Sequence, residues 1–122
     1  MIPILDVPLM DRDHAALERM LDGFPEKPDA ELLDGFDAIA SEIREHFARE
    51  EHAMTEARVP ILHCHLELHA QILRELDVMR AEIAARGPAS ARDLVGAVLP
   101  QIIANHIATA DTASATFLRD EA

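Results

Sequence analysis

Apolar side chains recur every three or four residues through four long stretches of this chain, and in none do apolar and polar residues alternate as along a strand. That spacing restricts the fold to the all-α class. The first stretch takes Asp11 as its cap, carries His14, Leu17 and Leu21 on one face, and stops at Gly23 before Pro25 and Pro28. Pro28-Asp29 opens a second helix with the inner stripe Phe36, Ile39, Ile43, His46 with Phe47, Glu50 and Met54. Pro60 suits the first turn of a third, whose stripe is Ile61, His65, His69, Ile72, Leu76, Met79 and Ile83, ending near Gly87-Pro88. Ser90, with Asp93 three residues on, resembles a capping box for a fourth helix reaching about Leu118. Its stripe reads Leu94, Val98, Ile102, His106, Ala110, Ala113 and Phe117. Short connections favour antiparallel neighbours, so the expected architecture is an up-down-up-down four-helix bundle. Pro100 deletes the hydrogen bond to the Gly96 carbonyl, which predicts a kink there, with the glycine leaving room for the ring.

A length of 122 residues, 49% of them apolar, fits one domain over residues 1–122 with a core large enough to do without disulfides; Cys64 stands alone. The formal charge of −12 and the absence of Trp and Tyr disfavour phosphate backbones, stacked bases and anionic lipid. The start MIPILDVPLMDRD lacks a basic leader ahead of an apolar run. The longest charge-free stretch, Leu94 to Ala110, includes Gly96, Pro100, Gln101, Asn105 and His106, too short and too polar to span a bilayer. The expectation is a cytoplasmic protein with no membrane span and no nucleic-acid partner.

The decisive feature is what interrupts the apolar stripes. His14, His46, Glu50, His65, His69 and His106 all occupy inward positions, so every helix aims nitrogen or carboxylate at the core. Burying five imidazoles and a carboxylate unpartnered would cost several kcal/mol, beyond a small domain's margin. A metal is the natural partner. His46 with Glu50, and His65 with His69, are pairs one helical turn apart that can converge on one ion. Imidazole and carboxylate without thiolate suit iron or manganese, with copper and zinc also open. Six or more donors converging from four helices exceed one ion's needs, which favours two metals.

Four segments carry a family resemblance: Asp11-Arg12-Asp13-His14, HFAREE from His46 to Glu51, Pro60 followed by His65 and His69, and HIATAD from His106 to Asp111. Taken in order along residues 11 to 111, they resemble the hemerythrin domain, an up-and-down four-helix bundle. The resemblance implies two iron ions joined by an oxo or hydroxo bridge. It assigns His65, His69 and His106 to one, His14 and His46 to the other, with Glu50 and Asp111 bridging. The two-histidine iron would keep one vacancy, which in hemerythrins takes dioxygen. Asp111 lies five residues after His106, about 140° round a regular helix, so a π-bulge is needed to turn it inward.

Apolar side chains are expected around that vacancy: Ile103 and Ile107, with Leu17, Leu21 and Phe47. Ile102 and Val59 stand where the family often has Trp and Tyr. His52 and His63 fall off the inner stripes and read as surface residues, Cys64 as a half-buried thiol, and the remaining acids as a solvated face. The leading functional reading is a non-haem di-iron protein, not an enzyme, that binds dioxygen reversibly for transport, storage or sensing. A di-iron redox enzyme acting on peroxide, nitric oxide or ferrous iron, or an iron buffer, is the alternative. No spare carboxylate falls on an inner stripe, which disfavours ferroxidase chemistry. A monomer or weak oligomer is expected, and any signalling output would need a separate protein partner.

Overall fold

The computed structural model describes residues 4–120. Helix α1 runs Pro8–Gly23, α2 Leu32–Glu56 and α3 Leu62–Arg86. A fourth rod follows in five consecutive pieces: α4 (Pro88–Asp93), a π-turn (Leu94–Val98), α5 (Leu99–His106), a second π-turn (Ile107–Asp111) and α6 (Thr112–Asp120). Successive rods pack side by side as an antiparallel four-helix bundle, with short 3-10 turns at Phe24–Glu26 and Asp29–Glu31 between α1 and α2. Among the described residues no helix is long and apolar enough to cross a membrane.

The helix ends differ in detail from the sequence reading. Helix α1 begins at Pro8 after Val7, three residues before the expected cap; Asp11 instead accepts the Leu5 backbone N–H at 2.8 Å and ties down the entering chain. Pro60 precedes α3, which starts at Leu62 after Ile61. Pro88 rather than Ser90 opens the fourth rod, following Gly87 at φ 85°, and Ser90 and Asp93 form no capping box. Helix α2 closes with a Schellman turn built on a non-glycine residue. Arg58 sits at φ 53°, its N–H donating to Thr55 O, while Val59 N–H donates to Met54 O and the Val59 side chain is buried.

The stripes of α2 and α3 are buried as the periodicity requires, Ile61 excepted, which is only half-buried. The fourth rod is a correction. Val98 is 43% exposed and Ala113 is exposed, whereas Ala91, Val95, Leu99, Ile103, Ile107, Asp111 and Ala115 are all buried. That buried row advances by four residues each time. On a regular helix six such steps drift about 240°, and each π-turn takes back roughly 100°, leaving one nearly straight face. Around the pair where a kink is expected the rod makes the π-turn Leu94–Val98: Leu99 N–H reaches Leu94 O, five residues back, and Pro100 falls in the first turn of α5. Gly96 is not making room, because a Cβ there would meet nothing within 4 Å.

One end of the bundle is ordinary core, with Phe24, Leu32, Phe36, Ile39, Leu76, Ile83 and Leu99 all buried. The other end buries polar groups instead.

Candidate metal centre

His14, His46, Glu50, His65, His69, His106 and Asp111 are each 0 to 5% exposed, and they converge in that second half of the bundle. Six come from the helix the periodicity gave them, and Asp111 from the position the resemblance implied: α1 supplies His14, α2 His46 and Glu50, α3 His65 and His69, and the fourth rod His106 and Asp111. The π-turn at Ile107–Asp111 is what aims Asp111 inward, as its +5 spacing demanded.

Both carboxylates stand between two sets of histidines. Glu50 Oε1 lies 2.8 Å from His65 Nε2 and 3.3 Å from His69 Nε2, while Oε2 lies 3.0 Å from His46 Nε2. Asp111 divides the same way: Oδ1 is 3.0 Å from His65 Nε2 and 3.1 Å from His106 Nε2, and Oδ2 is 3.0 Å from His14 Nε2. Two groups able to hold an ion result, one of His65, His69 and His106, the other of His14 and His46, with Glu50 and Asp111 in both. Within each group one donor atom per residue lies within 4.8 Å of every other.

The outer edges of the rings fix which nitrogen faces in. His46 Nδ1 donates to Asp13 Oδ2 at 2.9 Å, His69 Nδ1 to Glu51 Oε2 at 2.7 Å, and His65 Nδ1 to the Ser114 hydroxyl at 2.6 Å. A neutral imidazole with its proton on Nδ1 presents a lone pair at Nε2. Those of His46 and His69 face Glu50 oxygens, which are also acceptors, whereas His65 Nε2 and His14 Nε2 each hydrogen-bond Asp111 at 3.0 Å. Accordingly both Glu50 oxygens, His69 Nε2 and His106 Nε2 are buried without a hydrogen bond, despite their close neighbours. Acceptor facing acceptor in a dry core is stable only with positive charge between them. The donor set therefore fits a metal centre.

Without a cation, protons must serve. Burial alone would raise Glu50, but the imidazoles of His46, His65 and His69 outweigh it and hold its carboxyl at about 2. Asp111 is likewise held well below the usual carboxylate range, against its burial, by His106, His14 and His65. Burial would lower His65, yet Asp111 and Glu50 push it up to about 9. His46 is raised against its burial by Glu50 and Asp13.

A family model, the hemerythrin HHE cation-binding domain, matches residues 5–113. The chain belongs to the hemerythrin family. It is 32% identical over 108 residues to a bacteriohemerythrin of Ralstonia nicotianae (strain ATCC BAA-1114 / GMI1000), a match covering 88% of this chain and 78% of that one. No solved structure matches the chain significantly.

Three supporting residues escaped the sequence reading. Asp13, read only as part of a motif, is a buried carboxylate, against the expectation that none was spare; Glu51 and Ser114 were passed over beside stronger signals. Asp13 was detectable, since it lies four residues before buried Leu17 and three after buried Met10. His52 and His63 are exposed, as expected. Cys64 is also exposed, not half-buried, because it lies on the outer face of α3 between His63 and His65. Ile103, Ile107, Leu17 and Phe47 are buried and Leu21 is half-buried; Phe47 stacks on the His69 ring at 3.7 Å between centroids.

Proposed function

We propose that this hemerythrin-family chain holds two iron ions and binds dioxygen reversibly, without turnover. The observation that carries the reading is the division of each carboxylate: one oxygen of Glu50 and of Asp111 faces each histidine group. His65, His69 and His106 would hold one iron, His14 and His46 the other, and Glu50 and Asp111 both.

Donor counting gives the asymmetry its meaning. Five imidazole nitrogens and four carboxylate oxygens are nine donors, against twelve for two octahedral ions. A shared oxo or hydroxo bridge would fill two more positions and would leave one, on the side held by His14 and His46. A ferrous pair would supply the two electrons on which reversible dioxygen binding draws.

The chain's own contribution is to hold the rings and exclude water. Phe47 braces His69, and Ile103 and Ile107 place apolar side chains on the fourth rod around His106. A dry surround slows proton-assisted oxidation of the metal. Asp13 does not supply a proton, because Arg49 and His46 already engage its oxygens. With no free buried acid among the described residues, a carrier, store or sensor is favoured over a redox enzyme.

The test is to reduce the iron-loaded protein without air and record its visible spectrum as oxygen is added and removed. A charge-transfer band that appears and then reverses supports the reading. Immediate, irreversible conversion to a ferric spectrum would move the assignment to redox enzymology.

A further inference from the structure

The two histidines on the open side of the centre are supported unequally. His14 Nδ1 is buried without a hydrogen-bond partner. His46 Nδ1 meets Asp13 Oδ2 at 2.9 Å, and Asp13 is only 5% exposed. That same Oδ2 accepts Arg49 Nε–H at 3.0 Å, while Oδ1 accepts Arg49 Nη2–H at 3.0 Å in a two-pronged grip. Arg49 Nη2 also reaches Glu42 Oε1 at 3.2 Å. Asp13 lies on α1, and Glu42, His46 and Arg49 lie on α2, so the clasp fastens two rods directly behind one ring.

We propose that Asp13 and Arg49 are a pair of opposed positioning residues that set the electron-donating strength of His46, and with it the reduction potential of the metal on the two-histidine side. This rests on the two-iron reading above. A carboxylate accepting the Nδ1 proton makes the imidazole a stronger donor at Nε2 and favours the ferric state. Arg49 competes for the oxygen that His46 uses and so moderates that effect. Glu51 behind His69 has no such counterweight and is 34% exposed, where solvent weakens it.

The two residues are therefore predicted to act with opposite sign. D13N keeps an acceptor of the same shape but removes the charge, and raises the potential. R49Q releases Asp13 toward His46, and lowers it. D13N also loses about tenfold in iron affinity, the usual cost of removing such support.

The experiment measures iron per chain, helical content and midpoint potential for the wild type, D13N and R49Q, each loaded with iron. Opposite shifts from the wild type confirm the opposed pair. Shifts of the same sign, or none, overturn it, since loosened packing alone would move both variants alike. Arg49 is partly exposed, so R49Q folds even if D13N does not, and its potential alone then decides: below the wild type supports the proposal, equal or above refutes it. Wild-type protein that takes up no iron would instead defeat the two-iron reading, a distinguishable result.

Discussion

Glu50 is fully buried, and each of its oxygens faces a different set of histidines. Glu50→Ala should therefore lower the occupancy of both ions together, whereas His52→Ala, on the exposed face of the same helix, should leave metal content unchanged; elemental analysis of purified variants checks both. Loss of one ion only would mean that Glu50 serves a single group. Six of the seven inward polar residues were readable from the sequence because they interrupt apolar stripes, where water cannot solvate them and a partner is required, whereas Asp111, off the stripe of a regular helix, was indicated only by the family resemblance. Glu51 and Ser114 were not readable, and for Asp13 the spacing from Met10 and Leu17 marks an inward position but not the ring it supports. Each acts on the far edge of a ring whose orientation only the packed bundle defines.

Between elements, the long regular helices α2 and α3 were legible almost residue by residue, while the fourth rod was read correctly at His106 and Ala110 but one position out of register at Leu94, Val98 and Ile102. Two neighbouring rows there both repeat every four residues, and only the π-turns decide which faces the core. Deleting Ala108, exposed within the second π-turn, puts Asp111 four residues after His106, about 40° away on a regular helix. This deletion variant should fold and retain metal. Loss of metal would show that the turn contributes more than register. At the end of α2, Arg58 occupies the left-handed region that glycine adopts freely. Arg58→Gly should stabilise the protein by about 0.5 kcal/mol after the glycine's greater entropy in the unfolded chain is discounted, read as a higher midpoint in thermal unfolding. A lower midpoint would mean that the Arg58 side chain makes contacts worth more than the strain.

For the whole molecule, the buried cluster makes stability depend on pH in opposite senses with and without metal. In metal-free protein Glu50 is depressed from 4.5 to about 2, so its contribution is complete above pH 4.5 and vanishes as pH falls through about 2. His65 is raised from 6.5 to about 9, so its contribution is complete below pH 6.5 and vanishes as pH rises through about 9. Chelated protein should thus lose thermal stability between pH 6.5 and 9. Loaded protein should gain over the same interval, because ligating imidazoles must be neutral. Parallel pH profiles for the two forms would argue against a centre built from these histidines. The same cluster sets this bundle apart: one end of its interior holds seven polar donors, several of them buried without a hydrogen bond, in an arrangement that fits a cation. Anomalous diffraction at the iron edge from crystals of the loaded protein addresses that most directly. Two peaks about 3.5 Å apart are expected, one beside His65, His69 and His106 and the other beside His14 and His46, with Glu50 and Asp111 between them; a single peak, or a peak away from these residues, would contradict it.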